Sequence, residues 1–208
     1  SSDLIPRSGG LAIVLAFIAP LVGLFFTESS VAQTVRLEWV RGIGLIGGGI
    51  LMATVGFLDD TKRVRALYKL YAQVGVACLA WSTGFRIESI SLPETHFLPS
   101  ALSLGIFAFP TTDLWIVGII NAFNLIDGLD GLAGGIAFFA ALTNIIVAYV
   151  GGGNLLVMVP MAALLGSVLG FLFFNFNPAR IFMGDAGSYF IGYVLATSAL
   201  LGSSQKAS

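Results

Sequence analysis

Charge is scarce in this 208-residue chain. Asp, Glu, Lys and Arg together make up only 10% of it, where soluble domains run near a quarter. The ten basic residues nearly cancel the eleven acidic ones. A nucleic-acid binder needs a basic surplus, so that class is excluded. Cysteine occurs once, at Cys78, which excludes an internal disulfide and a cysteine metal cluster. Its neighbours Val76, Ala77 and Leu79 are apolar, so Cys78 reads as a packing residue. Histidine also occurs once, as His96, with no polar cluster around it. The chain opens on a polar stretch with no signal-peptide pattern. What it has in excess is apolar surface: 57% hydrophobic residues and a mean hydropathy of +0.94. A soluble globule of this size keeps much of its surface wet and could not hide that much. A soluble enzyme and a disordered chain are excluded with it.

The apolar residues fall in runs that approach the length needed to cross ~30 Å of hydrocarbon. Seven spans are expected: Gly10–Phe26, Gly42–Leu58, Leu67–Gly84, Thr112–Phe123, Leu132–Val150, Leu155–Phe174 and Tyr189–Leu201. The fourth is short, because Pro110 interrupts the apolar run before it. The predicted fold is all-α, a polytopic transmembrane bundle forming one integral-membrane domain over 1–208. Gly151–Asn154 reads as a tight turn. In the longest connection, 85–111, the stretch Arg86–Leu92 is weakly strand-like, half of a small external hairpin. Gly44, Gly47, Gly48 and Gly49 sit inside the second span, where small residues let helices approach closely. A phosphate-binding glycine loop does not fit them, since no strand precedes and no Gly-Lys-Ser/Thr follows.

Alternation across seven spans puts Arg7, Lys62, Arg63, Arg65, Lys69 and Arg180 on one side. Arg36, Arg41 and Arg86 fall on the other, with Lys206 past the last span. The basic excess makes the first side cytoplasmic. Five of the eleven acids lie in three short stretches: Asp59-Asp60, Asn121-x-x-Asn124-x-x-Asp127-x-x-Asp130, and Gly184-Asp185. Each abuts the end of an apolar run, and two crossings separate each from the next. All three therefore land on that same side. Acids at a membrane boundary are costly and rarely unpaired. With few basic residues near, a divalent cation is the expected partner, because carboxylate and amide oxygens suit Mg²⁺.

The middle stretch repeats every third residue. On an α-helix such a row drifts by about 60° per step and stays aligned only if the helix tightens. It predicts a polar stripe running into a cytoplasmic pocket, with Gly128 and Gly131 letting the helix open. Asp59 and Asp60, adjacent on a helix, point about 100° apart, so they cannot easily share one metal. One suits the metal and the other a proton or a positioning role. In the third stretch Asn177 precedes Pro178, which disfavours further helix. Gly184 and Gly187 permit close backbone approach around Asp185, and Ser188 can cap the next span. Phe182 is either core filler or a stacking face for a base. A metal-ready cluster at the boundary suits phosphoryl transfer between a soluble anion and a lipid, with Arg65, Lys69 and Arg180 on the right side to neutralise charge.

Four motifs now carry a resemblance: Pro6-Arg7-Ser8-Gly9-Gly10, Gly56-Phe57-Leu58-Asp59-Asp60, Asn121 to Gly131, and Phe182-Met183-Gly184-Asp185-Ala186-Gly187-Ser188. Their order and spacing resemble the polyprenyl-phosphate N-acetylhexosamine-1-phosphate transferase superfamily (glycosyltransferase family 4) over nearly the whole chain. The first motif resembles the WecA/TagO/WbpL-like branch more than the phospho-MurNAc-pentapeptide transferases. The resemblance implies transfer of a sugar-1-phosphate from a UDP-N-acetylhexosamine to undecaprenyl phosphate, with release of UMP. It implies a cell-envelope glycan such as O-antigen or teichoic acid, and leaves the sugar open. It implies Mg²⁺ or its substitute Mn²⁺, a multi-pass protein of the bacterial inner membrane with a cytoplasmic active site, and a homodimer among the partners. Asp127 and Asp185 would hold the metal, and Asn124 would support the diphosphate. Asp59, Asp60 and Asp127 would be the catalytic carboxylates, the first two on the lipid-phosphate side. Gly128, Leu129, Asp130, Asn175 and Phe182 would form the uridine pocket, with Arg65 and Lys69 binding substrate charge. The family carries one more span before the first motif and a histidine-rich loop near its end. Neither occurs here, so the chain reads as a fragment.

A transporter is the rival from another class, but its acids belong near the midplane and in repeats. A CDP-alcohol phosphatidyltransferase needs the pattern Asp-Gly-x-x-Ala-Arg, and Asp127-Gly128 is followed by Leu-Asp-Gly-Leu. A prenyl synthase of the Asp-Asp-x-x-Asp type fails on Arg63 at the third acid's place.

Overall fold

The computed structural model describes residues 6–91 and 101–203. His96, Leu92 and Lys206 lie outside them. Among the described residues eight α-helices run in chain order: α1 (Gly9–Leu24), α2 (Ser30–Leu37), α3 (Trp39–Lys62), α4 (Ala66–Ser82), α5 (Ala108–Ile126), α6 (Leu132–Val150), α7 (Leu155–Asn175) and α8 (Gly184–Ser203), with a short 3-10 turn, Gly105–Phe107, leading into α5. Four of the segments are long and apolar enough to cross a membrane: Trp39–Lys62, Gly105–Ile126, Leu132–Val150 and Leu155–Asn175. α1 is apolar but shorter.

The seven long helices sit where the seven apolar runs were expected. The fourth is longer than the sequence suggests. Pro110 does not end it, because Pro110 falls in the first turn of α5, where its missing N–H costs nothing. The short α2 is an addition. Ser29 Oγ accepts from Ala32 N at 3.2 Å and caps it. The expected hairpin is present, with β1 (Ser89–Ser91) antiparallel to β2 (Ala101–Ser103). The tight turn is present too, with Gly152 and Gly153 at φ +114° and +79°. Cys78, by contrast, is exposed. Val76, Ala77 and Ala80 face the core, and the 100° step turns Cys78 to the outer stripe of α4.

α8 is the central helix. It packs against α3, α5, α1 and α7, and its residues from Ala186 to Thr197 are all buried. Hydrocarbon gives packed helices no hydrophobic drive, so close approach and hydrogen bonds must hold them. Tyr193 donates its hydroxyl to Gly44 O at 2.7 Å, and Trp115 Nε1 donates to Ala196 O at 3.1 Å. Phe17 meets Phe190 edge-on at 5.2 Å. Of the α3 glycines, Gly44, Gly48 and Gly49 face Thr83, Tyr193 and Phe190, with no room for a side chain. Gly47 differs from expectation and opens onto empty space. Two other glycines meet backbone instead of side chains. A Cβ on Gly56 would strike the Asp185 carbonyl, and one on Gly10 the backbone of Gly187.

Backbone cannot yield as a flexible side chain can. Gly56→Ala is therefore expected to cost about 1–3 kcal/mol, while Gly47→Ala is neutral or mildly stabilising. Thermal unfolding of the two variants in detergent compares them directly.

Candidate active site

The acids of α3, of the α5–α6 turn and of α8 meet at one end of the bundle. A cavity of about 300 Å³ opens there. Asp60, Asp127, Asp130 and Asp185 line it, with Arg7 as the one cationic residue among the described residues there. Gly128, Leu129, Asn175 and Phe182 complete most of the wall.

Asp59 and Asp60 diverge, as adjacent residues on a helix must. Asp59 turns toward α4, where Lys69 Nζ lies 2.6 Å from its Oδ2. Its Oδ1 accepts from Val64 N at 2.8 Å, closing the left-handed turn at Arg63. Asp60 turns toward α8 and accepts from the backbone N–H groups of Asp185 (3.2 Å) and Ala186 (3.3 Å). A carboxylate at a helix N-terminus satisfies orphan donors and opposes the helix dipole. Asp60 thus does the capping expected of Ser188, which instead lies inside α8. Ser188 there accepts from Asn124 Nδ2 at 3.1 Å.

The row Asn121, Asn124, Asp127, Asp130 fans out and does not form a stripe, because α5 stays α-helical to Ile126. Asn121 faces α4 and pairs with Gln73. Asn124 donates to Asp185 Oδ1 at 2.7 Å. Asp127 ends α5, and its carboxyl titrates at about 6, raised first by burial and then by the Asp60 charge. Asp130 Oδ2 accepts from Asn177 Nδ2 and Ala179 N, both at 3.2 Å, and so ties the two cavity loops together. The helix opens as expected, with Gly131 at φ +73°.

Asn175 is only 5% exposed and spans the wall. Its Oδ1 accepts from Gly131 N and its Nδ2 donates to Ile181 O, each at 2.9 Å. Phe182 is half-buried at the cavity, so its ring is a wall and not core filler. Lys69 and Arg65 do not line the cavity: Lys69 serves Asp59, and Arg65 is exposed ahead of α4. Arg180 is likewise exposed.

Sequence reasoning missed Arg7 as a site residue. Its signal was there, as a basic residue on the acidic side inside the first motif. Backbone bonds place it: Phe182 N donates to Pro6 O (3.0 Å), Gly9 N to Phe182 O (3.1 Å) and Gly10 N to Met183 O (2.9 Å). Gln73 was also missed, and a lone glutamine on α4 carries no spacing that would reveal it.

The donor set tests whether a divalent cation fits. Four carboxylates against one guanidinium leave the cavity strongly negative. Asp127 and Asp185 line it, and neither forms a salt bridge among the described residues. Among the described residues, no three carboxylates already close around a point. Mg²⁺ is commonly held by one or two carboxylates and completed by substrate phosphate and water. Asp127 and Asp185 would be the two.

The glycosyl transferase family 4 model matches residues 42–203. A probable undecaprenyl-phosphate N-acetylglucosaminyl 1-phosphate transferase of Bacillus subtilis (strain 168) is 41% identical over 201 residues, covering 96% of this chain and 52% of that protein. A phospho-N-acetylmuramoyl-pentapeptide-transferase of Heliobacterium modesticaldum is 38% identical over 209 residues, covering 94% of this chain and 60% of that protein. The same-named protein of Lactobacillus johnsonii is 34% identical over 204 residues, with 92% and 60% covered. The chain thus spans between about half and three fifths of the length of these relatives. On the family match over most of its length and on these identities, the chain belongs to glycosyl transferase family 4.

Proposed function

We propose that this chain forms the catalytic core of an enzyme that transfers N-acetylhexosamine-1-phosphate from a UDP-sugar to undecaprenyl phosphate. The observation that carries the reading is the meeting of Asp60, Asp127 and Asp185 at one cavity, at the ends of helices able to cross a membrane. A transporter would place its acids near the midplane. In this reading the seven long helices all cross, and the cavity opens to the cytoplasm, where the basic excess lies. The relatives support this substrate class, since one is a probable undecaprenyl-phosphate N-acetylglucosaminyl 1-phosphate transferase.

In the reaction an oxygen of the lipid phosphate attacks the phosphorus that bears the sugar. The bond from that phosphorus to the bridging oxygen breaks, and UMP departs with the electron pair. A bound Mg²⁺ would neutralise the diphosphate and the leaving phosphate. The chain's own residues hold the parts. Asp127 and Asp185 would bind the cation, and Asn124 fixes Asp185 through one oxygen. Arg7 offers positive charge to the phosphates. Phe182 and Leu129 give the uracil apolar faces, and Asp130 and Asn175 hold those walls together. A phosphate dianion is already nucleophilic, so Asp59 need not act as a base. Its ion pair with Lys69 holds it in place beside the acceptor.

Asp127→Asn and Asp185→Asn, made in the protein carrying this chain, are each expected to lower UMP release by at least 100-fold while membrane insertion persists. Radiolabel transfer with UDP-GlcNAc, 6-deoxy UDP-sugars and UDP-MurNAc-pentapeptide reads both activity and donor. Wild-type turnover in either variant sinks the metal assignment, and turnover only with the pentapeptide donor makes the protein a phospho-MurNAc-pentapeptide transferase. Cysteines at Thr61 and Leu129 are expected to label from the cytoplasm and one at Gln33 from outside. Labelling of all three from one side contradicts the topology.

Burial raises Asp127 from the ordinary 3.8 to about 6. Between these values the folded state holds a proton that the unfolded chain has lost, so stability falls as pH rises through 6. In EDTA, the melting temperature of the wild type is expected to drop between about pH 4 and pH 6.5. Asp127→Asn flattens that drop. Equal slopes would show that Asp127 titrates normally.

A further inference from the structure

Gln73 lies on α4, one turn beyond Lys69, and is only 1% exposed. Its side-chain amide meets that of Asn121 on α5 reciprocally. Asn121 Nδ2 donates to Gln73 Oε1 at 2.7 Å, and Gln73 Nε2 donates to Asn121 Oδ1 at 3.4 Å. Asn121 is held in turn by its own helix, since its Nδ2 also donates to Val117 O at 2.8 Å. These two are the side chain–side chain hydrogen bonds between α4 and α5 among the described residues.

Its location matters more than its strength. One turn toward the acidic end on α4 is Lys69, which holds Asp59 at 2.6 Å. One turn in the same direction on α5 is Asn124, which holds Asp185 at 2.7 Å and Ser188 at 3.1 Å. Asp59 belongs to α3 and Asp185 to α8. The two amides therefore tie together the helices whose next residues orient two of the site's carboxylates. Apolar contacts between helices tolerate axial sliding, because dispersion has no preferred direction. Paired amides do not, since hydrogen bonds weaken steeply with distance and angle.

We propose that Gln73, through its amide pair with Asn121, is a positioning residue for the transfer reaction: it fixes the register of α4 on α5, so that Lys69 stays on Asp59 while Asn124 stays on Asp185. The proposal rests on the transferase reading. It adds that a residue outside the cavity, and touching no substrate, sets the rate.

Removing the Asn121 amide would strand the buried Gln73, so single variants mix stability with position. Replacing both partners with apolar residues is close to neutral for stability. The decisive variant is therefore Gln73→Leu with Asn121→Leu, in the protein carrying this chain, assayed by UMP release with UDP-sugar and undecaprenyl phosphate. The expected result is a melting temperature near that of the wild type, kcat lowered by at least tenfold, and KM for the UDP-sugar changed less than threefold. The amide exchange Gln73→Asn with Asn121→Gln keeps the pair and its summed length, and it is expected to keep kcat within threefold. A double leucine variant with kcat within twofold of wild type overturns the proposal. If that variant does not fold, the exchange decides: a tenfold loss of kcat there overturns it, and retained kcat supports it. An inactive wild-type protein would instead overturn the transferase reading itself.

Discussion

The arrangement turns on the contact between the end of α3 and the start of α8. Gly56 lets the two backbones touch at Asp185. One turn on, Asp60 spends both carboxylate oxygens on the first free N–H groups of α8. A helix end in a membrane protein cannot leave its donors bare away from water. Here the cap comes from another helix, so satisfying the donors also joins two spans. Asp185 is thereby brought beside Asp59, and α8, buried almost throughout, is seeded at a fixed depth. The Pro6–Gly10 segment adds three backbone hydrogen bonds to the Pro6–Met183 seam and delivers Arg7 to the same place.

What this join creates is electrostatically incomplete. Asp59 has Lys69 and Asp60 has the α8 amides, but among the described residues Asp127 and Asp185 face the cavity with no ion-pair partner. Burial penalises the charged form of Asp127, and the neighbouring Asp60 adds to the penalty. A fold that keeps such groups accepts a cost to stability, and functional sites are where such costs are usually found. An anionic nucleotide entering alone would meet repulsion. Entering with a divalent cation, it would complete the set.

Much of this was legible in the residues. Apolar runs gave the long helices, because hydrocarbon thickness imposes length. Parity of crossings put the three acidic stretches at one end, and the structure joins them there. Local geometry was less legible. The three-residue row in Asn121–Asp130 reads as one stripe only if the helix tightens, whereas α5 keeps its ordinary pitch and sends each residue to a different partner. Ser188 has the chemistry of a cap, yet a carboxylate far away in sequence outcompetes it. Cys78 sits among apolar neighbours, and apolar neighbours are no sign of a core when the outer face is apolar too. Gln73 has no motif at all, since its meaning comes from a partner on another helix.

The central claim is that Asp127 and Asp185, from separate helices, form one cation-binding pair at the membrane boundary. A cryo-EM map of the protein carrying this chain, in nanodiscs with Mn²⁺ and a non-transferable UDP-sugar analogue, tests it most directly. The account predicts one metal peak touching both carboxylates and the diphosphate, with Asp60 still capping α8. A peak held by Asp59 and Asp60, or Asp127 and Asp185 facing separate cavities, would contradict it.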